Sequence, residues 1–413
     1  MADQPATAVR GSEYDPFSVE AMTDPYPLYR ALREGPRLHP LPRYDGFALS
    51  RFEDVWTVLG DAQRVSVSEG PVFFPQVVSK PCAVEALDRG AVGQSFSTWD
   101  PPLHTRLRAA MSASFRPGSA RALEREARRI ANARLDDCLP DGRFDVVGDY
   151  ASHVAVGLAC HALGIPASEG PRLVELSNLS SRRADGQAGM SEEGLAAQAE
   201  IFAYMEAQVQ ARRKGVGSGG VLDALIAFEL DARRLNDAEI ATQLVTLLVG
   251  GSETVPKIFA GGIRELAALP EAIRALRSDE TVIPGAFEEM VRHQGVLQSV
   301  GRTALEAFEI GGQPVRRGQR LFLLLQSANR DEREFPEPDR FDIHRRPRRH
   351  VGFGFGPHHC IGIHLARLEG RVLLETLLSR LPEWSVDEAA VERPPSEFQI
   401  GYTALPIEFA PQR

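Results

Sequence analysis

The stretch Phe353-Gly-Phe-Gly-Pro-His-His-Cys-Ile-Gly362 puts a thiol after two imidazoles, among glycines, directly before an amphipathic pattern that begins near Ile361. Four chemical uses compete for these residues. A phosphate-cradling loop would employ Gly352, Gly354 and Gly356, but GxGxxG is absent and no compact strand-loop-helix unit surrounds it. Zinc would take His358, Cys360 and His364, yet no second CxxC or HxxxH pair closes the shell. A cysteine merely buried in a tight turn is the ordinary fate of a free thiol, and the crowded glycines count against it. A thiolate on haem iron uses the most residues. The backbone N–H groups that follow Cys360 point at the sulfur, and the helix dipole favours negative charge there, which predicts a thiolate at neutral pH. Gly354 and Gly356 let the backbone pass close under a flat macrocycle, Gly362 lets the helix approach, and Phe353 shields the sulfur from water.

Three other stretches carry reactive or charged groups at suggestive spacing. Glu289 and Arg292 share one side of a helix, although such a pair alone is worth only about 0.3 kcal/mol when solvated. In Gly250-Gly-Ser-Glu-Thr-Val255, adjacent glycines inside an apolar helix each cost up to about 1 kcal/mol relative to alanine, so a close approach must justify them. Pro256 has no N–H for the Ser252 carbonyl, which predicts a local opening of the helix and a polar groove for water. Asp100-Pro-Pro-Leu-His-Thr-Arg-Leu-Arg108 reads as a proline-started helix with His104 and Arg108 one turn apart, both charge-assisted donors to a carboxylate.

The elements that position these groups are mostly helical. Apolar residues recur three or four apart over 121–139, 147–163, 191–213 and 361–380. The longest such pattern, 237–269, predicts one central buried helix of about 50 Å. Strand signals are confined to 44–50, after a proline-rich approach, and to 308–325, where Gly311-Gly312 separates two runs as in a hairpin. Residues 215–220 read as a short mobile loop between helices. The expected fold is mainly α with a small β region, as a single domain over 1–413 without internal repeats.

Composition narrows the function classes. With 43% hydrophobic and 25% charged residues, the 413-residue chain has the profile of an ordinary globular protein. The longest apolar run, 244–249, is far too short for a membrane span, and residues 1–12 lack an apolar signal core, so a cytoplasmic location without a membrane anchor is expected. A net charge of -9 argues against a nucleic-acid partner. The cysteines Cys82, Cys138, Cys160 and Cys360 are too widely spaced for a disulfide framework.

The pattern F-G-x-G-x-H-x-C-x-G, filled by Phe353, Gly354, Gly356, His358, Cys360 and Gly362, resembles the haem-binding signature of the cytochrome P450 family, in its soluble, ferredoxin-dependent bacterial type. The other stretches match further family motifs in the correct order along most of the chain. The resemblance implies haem b (iron protoporphyrin IX) lying between the long central helix and the cysteine-loop helix, with Cys360 as axial thiolate. It implies that His104 and Arg108 hold one propionate and that Arg302 and His358 hold the other. Glu289, Arg292 and Arg340 would form a buried triad behind the haem. Glu253 and Thr254 match the oxygen-activation pair, with Glu where Asp is frequent and Val255 where a second alcohol is frequent.

The reaction implied is monooxygenation. One atom of dioxygen enters a small to medium apolar organic substrate, by hydroxylation or O-dealkylation. Electrons would come from a separate ferredoxin and its NAD(P)H-driven reductase, steered by the basic stretch 344–350. By family correspondence the pocket draws on the lid 71–97 with Phe73, Phe74 and Phe96, on helices near 173–202, on Leu247 and Gly250, on 296–299 with Val296 and Leu297, and on 400–402 with Ile400. Two rivals differ in class: a peroxide-using or oxidative-coupling haem-thiolate enzyme, and a non-catalytic haem sensor or ligand-binding protein. The Glu253-Thr254 pair argues against both.

Overall fold

The computed structural model describes residues 14–83, 87, 94–180, 189–231 and 233–411. Parts of the expected lid and of the 173–202 helices, at 84–86, 88–93 and 181–188, lie outside the described residues.

Five strands build the main sheet: β1 (His39–Leu41), β2 (Gly46–Leu49), β3 (Val65–Ser66), β4 (Ser299–Ala304) and β5 (Arg320–Leu324), in the order β1-β2-β5-β4-β3. Only β2 and β5 run parallel; the other neighbours are antiparallel. Successive side chains in a strand point to opposite faces. Thr303 and Arg320, paired across the ladder, therefore share one face and both reach Glu69, at 2.6 and 2.7 Å. Arg302 projects from the other face. Gly311-Gly312 closes the expected hairpin between Phe308–Ile310 and Gln313–Val315. Strand β4 and the small sheet of Arg143–Asp145, Ser385–Val386 and Pro406–Glu408 were not expected; the strands of the small sheet, two or three residues long, are too short to display a period.

The helical body contains α1 (Leu103–Met111), α2 (Glu124–Cys138), α3 (Ser152–Leu163), α4 (Gly170–Ser180), α5 (Glu192–Arg213), α6 (Asp237–Ser252), α7 (Thr254–Ala267), α8 (Ile283–His293) and α9 (Ile363–Arg380). Their apolar stripes meet in one core that includes Leu135, Val156, Leu244, Phe259 and Leu373. Helix α6 starts with a capping box: Asn236 Oδ1 accepts from Glu239 N and Glu239 Oε2 accepts from Asn236 N, each at 2.9 Å. The pattern 237–269 forms two abutting helices and not one, which corrects the expected single span. They meet at Glu253, whose φ of -103° departs from helical geometry. Pro256 is the cause: it donates nothing backward, and Lys257 N reaches the Glu253 carbonyl only at 3.5 Å. Along the exposed loop 215–220, Arg212 donates to the Val216 and Gly219 carbonyls at 3.0 Å each. Among the described residues, no helix is long and apolar enough to cross a membrane.

Candidate functional site

The cysteine loop is shaped by its own backbone. Gly354 N donates to the Val351 carbonyl at 2.9 Å and Cys360 N to the Phe353 carbonyl at 2.8 Å, closing the turn around the thiol. Gly356 adopts φ +73°, and a Cβ there would sit 2.4 Å from the Leu59 carbonyl oxygen, so only glycine fits. Phe355 stacks on Trp56 with ring centroids 3.7 Å apart, which fixes the loop to the preceding helix Phe52–Gly60. Helix α9 begins at Ile363 with Gly362 at its cap, two residues later than the sequence pattern implied. The Phe353 ring lies between His350 and the Arg367 guanidinium, 5.8 and 5.4 Å away.

Burial pushes the Cys360 thiol up, against the Gly362 N–H and the Arg108 guanidinium, which pull it down. Desolvation thus opposes the thiolate that the helix start favours, and a metal cation at the sulfur would favour it further. Among the described residues, no group of three or more His, Cys, Asp or Glu could hold a metal ion, so the zinc use of His358, Cys360 and His364 has no shell.

Four basic groups gather beside this loop from three separate elements. His104 and Arg108 come from α1, Arg302 from β4 and His358 from the loop itself. The His104 and His358 rings lie 4.1 Å apart. Both His104 ring nitrogens and His358 Nε2 are buried with no hydrogen-bond partner. Burial, reinforced by the neighbouring guanidinium groups, lowers His104 to about 4. Burial and the repulsion of His104, Arg302 and Arg108 lower His358 to about 2. Burial also lowers Arg302 to about 10, although Asp100 opposes it. Two buried imidazoles without partners beside two guanidinium groups, which donate only to the His359 and Gly301 carbonyls, form a donor set that an anion would complete. The two carboxylates of haem b fit this donor set, and the glycine-turned cysteine fits its iron.

A buried network fixes the base of the loop. Glu289 and Arg292 of α8 are both 0% exposed and pair at 2.7 Å. Arg292 also donates to the Asn329 carbonyl at 2.7 Å, while Asn329 Oδ1 accepts from Val351 N at 2.8 Å, so the network reaches the first residue of the turn. The third member of the triad is Arg345, at 3.1 Å from Glu289, and not Arg340. Arg340 is 59% exposed and its side chain pairs with Asp342. Only its carbonyl joins the network, accepting from Arg345 at 3.2 Å. The reason is local: the turn after Glu337 directs Arg340 outward, and a second turn at Asp342 brings Arg345 back. Sequence alone offered several arginines here, and the distance to α8 decides between them.

At the helix break, Thr254 Oγ1 donates to the Gly250 carbonyl at 2.9 Å. Glu253 is buried and ion-paired with Lys257 at 3.4 Å, and Ser180 Oγ lies 3.4 Å from its other oxygen. Lys257 was missed, although a Glu and a Lys four apart on a helix is a legible pairing signal. A Cβ added at Gly250 would meet nothing within 4 Å, so the structure leaves space there.

The expected pocket residues divide. Val296 and Ile400 join through the Ile400 N to Val296 carbonyl bond at 2.8 Å, and Leu297 bridges to Gln399. Phe74 packs against Phe398 from this same segment. Phe96 stacks on His104 at 6.1 Å and thus stands beside the basic cluster, its N–H held by Gln243 of α6. Phe73 is corrected: it packs on Phe322 and Gly301, on the sheet face away from Arg302, inside the aromatic core with Tyr29. In the basic stretch 344–350, Arg345, Arg349 and His350 already have partners, namely Glu289, Glu334 and Glu288, while Arg346 and Arg348 are exposed.

Residues 189–410 match the family model described as cytochrome P450. The chain is 32% identical over 394 residues to putative cytochrome P450 123 of Mycobacterium tuberculosis, covering 95% of this chain and 96% of that protein. It is 31% identical over 396 residues to the cytochrome P450 monooxygenase PikC of Streptomyces venezuelae, covering 94% and 91% respectively. Among solved structures, cytochrome P450 CYP109Q5 from Chondromyces apiculatus superimposes with a TM-score of 0.82 at 28% identity, over 98% of this chain and 100% of that one.

Proposed function

This chain belongs to the cytochrome P450 family and is a monooxygenase of that class, and we propose that Cys360 is the axial thiolate, with the whole chain 1–413 forming one haem-thiolate domain of a cytoplasmic enzyme. The observation that carries this reading is the pair of buried, partnerless imidazoles of His104 and His358, set beside the guanidinium groups of Arg302 and Arg108 and a glycine-turned cysteine. Haem b, when bound through a thiolate, supplies the reductive activation of dioxygen and the insertion of one oxygen atom into an organic substrate.

The residues of the chain supply the rest. His104, Arg108, Arg302 and His358 bind and orient the two carboxylates through charge-assisted hydrogen bonds. The Gly362 N–H tempers the charge on Cys360 sulfur. Thr254 Oγ1 spends its proton on the Gly250 carbonyl, so its lone pairs remain free to accept a proton-bearing donor. Glu253 is the carboxylate that holds and passes protons behind it. Phe74, Leu247, Val296, Leu297 and Ile400 favour a small to medium apolar substrate, undergoing hydroxylation or O-dealkylation. Electrons arrive from a separate ferredoxin and its NAD(P)H-driven reductase, with the exposed Arg346 and Arg348 available to steer the acidic partner.

A carbon monoxide difference spectrum of the dithionite-reduced protein tests the assignment. The expected result is the red-shifted Soret band of thiolate ligation, lost in Cys360→Ser. A histidine-type band in the wild type, or an unchanged band in Cys360→Ser, would overturn it.

A further inference from the structure

Lys257 is one of only three lysines in the chain, with Lys80 and Lys214, yet its side chain is 8% exposed. It stands one turn after Glu253, across the break that Pro256 creates, with Nζ 3.4 Å from Glu253 Oε2. The same ammonium donates to Gln399 Oε1 at 2.7 Å. A buried ammonium keeps its charge only among acceptors and anions, and a carbonyl oxygen together with a carboxylate provides both. Gln399 belongs to the segment 396–400, whose turn is made by Ser396 Oγ accepting from Phe398 N at 3.2 Å and Gln399 N at 3.1 Å. That segment is also joined to Val296 and Leu297. The acid on the central helix is thus connected, through one cation, to the segment that borders the expected pocket.

We propose that Lys257 is a positioning residue for proton delivery: it pairs with the Glu253 carboxylate and tethers it, through Gln399, to the pocket-bordering segment 396–400. The proposal rests on the reading of Glu253 and Thr254 as the proton-passing pair. The ion pair is longer than an ideal charge-assisted bond of about 2.8 Å, so it holds Glu253 without locking it. Movement of segment 396–400 then changes how firmly the acid is held.

The test uses the haem-loaded enzyme with a surrogate ferredoxin and reductase, and needs no substrate. Dioxygen that takes two electrons and two protons leaves as hydrogen peroxide; with four of each it leaves as two waters, so the peroxide formed per NADPH reports proton delivery. Lys257→Met is expected to change this ratio by up to about tenfold, Lys257→Arg to restore it, and Gln399→Leu to shift it in the same direction as Lys257→Met. Infrared spectroscopy of the resting protein supplies a second readout. Lys257→Met leaves a buried carboxylate without its counter-ion, which takes up a proton and gains a protonated-carboxyl stretch. In difference spectra against the wild type, which cancel the buried Glu369 carboxyl, that band should appear for Lys257→Met, be absent for Lys257→Arg and vanish in Lys257→Met/Glu253→Gln.

An unchanged peroxide ratio and no new band in Lys257→Met would overturn the proposal. If Glu253→Gln also leaves the ratio unchanged, the proton-passing reading falls with it; if Glu253→Gln alters the ratio, only the role of Lys257 falls. Should Lys257→Met not fold, the Gln399→Leu arm decides, because it removes an uncharged acceptor and keeps the ion pair; an unchanged ratio there overturns the tether.

Discussion

The cysteine loop and the helix break at Glu253 are both departures from regular structure, but they are built in opposite ways. The loop is short, turned by glycine and closed by its own backbone, and it rests on Glu289 and Arg292, which are fully buried. The break is made by what is missing, an N–H at Pro256, and is held by long side chains whose shortest contact to Glu253 is 3.4 Å. Open space remains at Gly250. A group that must hold a ligand at fixed geometry gains from over-determination, whereas a group that must pass a proton needs a position it can leave. Substitutions in the loop should therefore cost stability and haem retention, and those at the break should cost coupling while the fold survives.

The largest expected effect is Arg292→Ala. Removing one partner of a fully buried pair leaves an uncompensated charge and should cost about 3–5 kcal/mol. The measurement is chemical denaturation together with haem content, both of which should fall. Arg345→Ala should follow in the same direction, while Arg340→Ala should stay within about 1 kcal/mol because its pairs are exposed. An Arg340→Ala effect as large as that of Arg292→Ala would return Arg340 to the triad.

Next in size is Gly356→Ala. A side chain at φ +73° is strained by about 1–2 kcal/mol. The added Cβ must also displace backbone at Leu59, so a total of about 3 kcal/mol is expected. Thermal unfolding would show it, and weakened haem retention would place the damage at the loop.

A pH effect tests the support around the loop more gently. Partial burial raises the Glu288 carboxyl, but His350 at 3.1 Å and Arg367 at 2.6 Å overcome this and bring it down to about 2. A carboxylate with a depressed folded pKa stabilises above the ordinary value near 4.3, and that contribution disappears as pH falls toward about 2. Its expected size, discounted for the part-exposed side chains, is about 2 kcal/mol. Denaturation midpoints between pH 5 and pH 3 should fall more steeply for the wild type than for Glu288→Gln; parallel curves would remove this pair from the support.

Much of both regions was legible from residues, and the illegible parts have a common cause. Local constraints could be read: Pro256 announced the break, Gly311-Gly312 the hairpin, and the glycines around Cys360 the turn. Arg345 could not be distinguished from Arg340, because five residues of irregular chain decide which guanidinium returns to α8. Phe73 was misplaced because a phenylalanine in a loop does not reveal which face of a distant sheet it covers. Arg302 could be named only by family correspondence, since β4 owes its burial to partners at 65–66 and 320–324, which a local pattern does not reveal. At Cys360 a helix start is visible in sequence, and the desolvation of the sulfur that opposes it is not.

The smallest stability effect, and the sharpest contrast with Gly356, is expected from Gly250→Ala. Gly250 sits inside α6 with helical backbone, so alanine should stabilise the helix by up to about 1 kcal/mol, and its methyl meets no protein atom within 4 Å. Yet the added methyl narrows the space beside Thr254, whose hydroxyl donates to the Gly250 carbonyl. The fold should therefore be unchanged or slightly more stable by thermal unfolding, while the spin-state shift produced by an apolar test compound such as 7-ethoxycoumarin weakens. If stability drops as it does for Gly356→Ala, the space at Gly250 is filled by protein and the two glycines do the same work. If stability holds and the spin-state shift weakens, one glycine shapes the chain and the other makes room for what the chain binds.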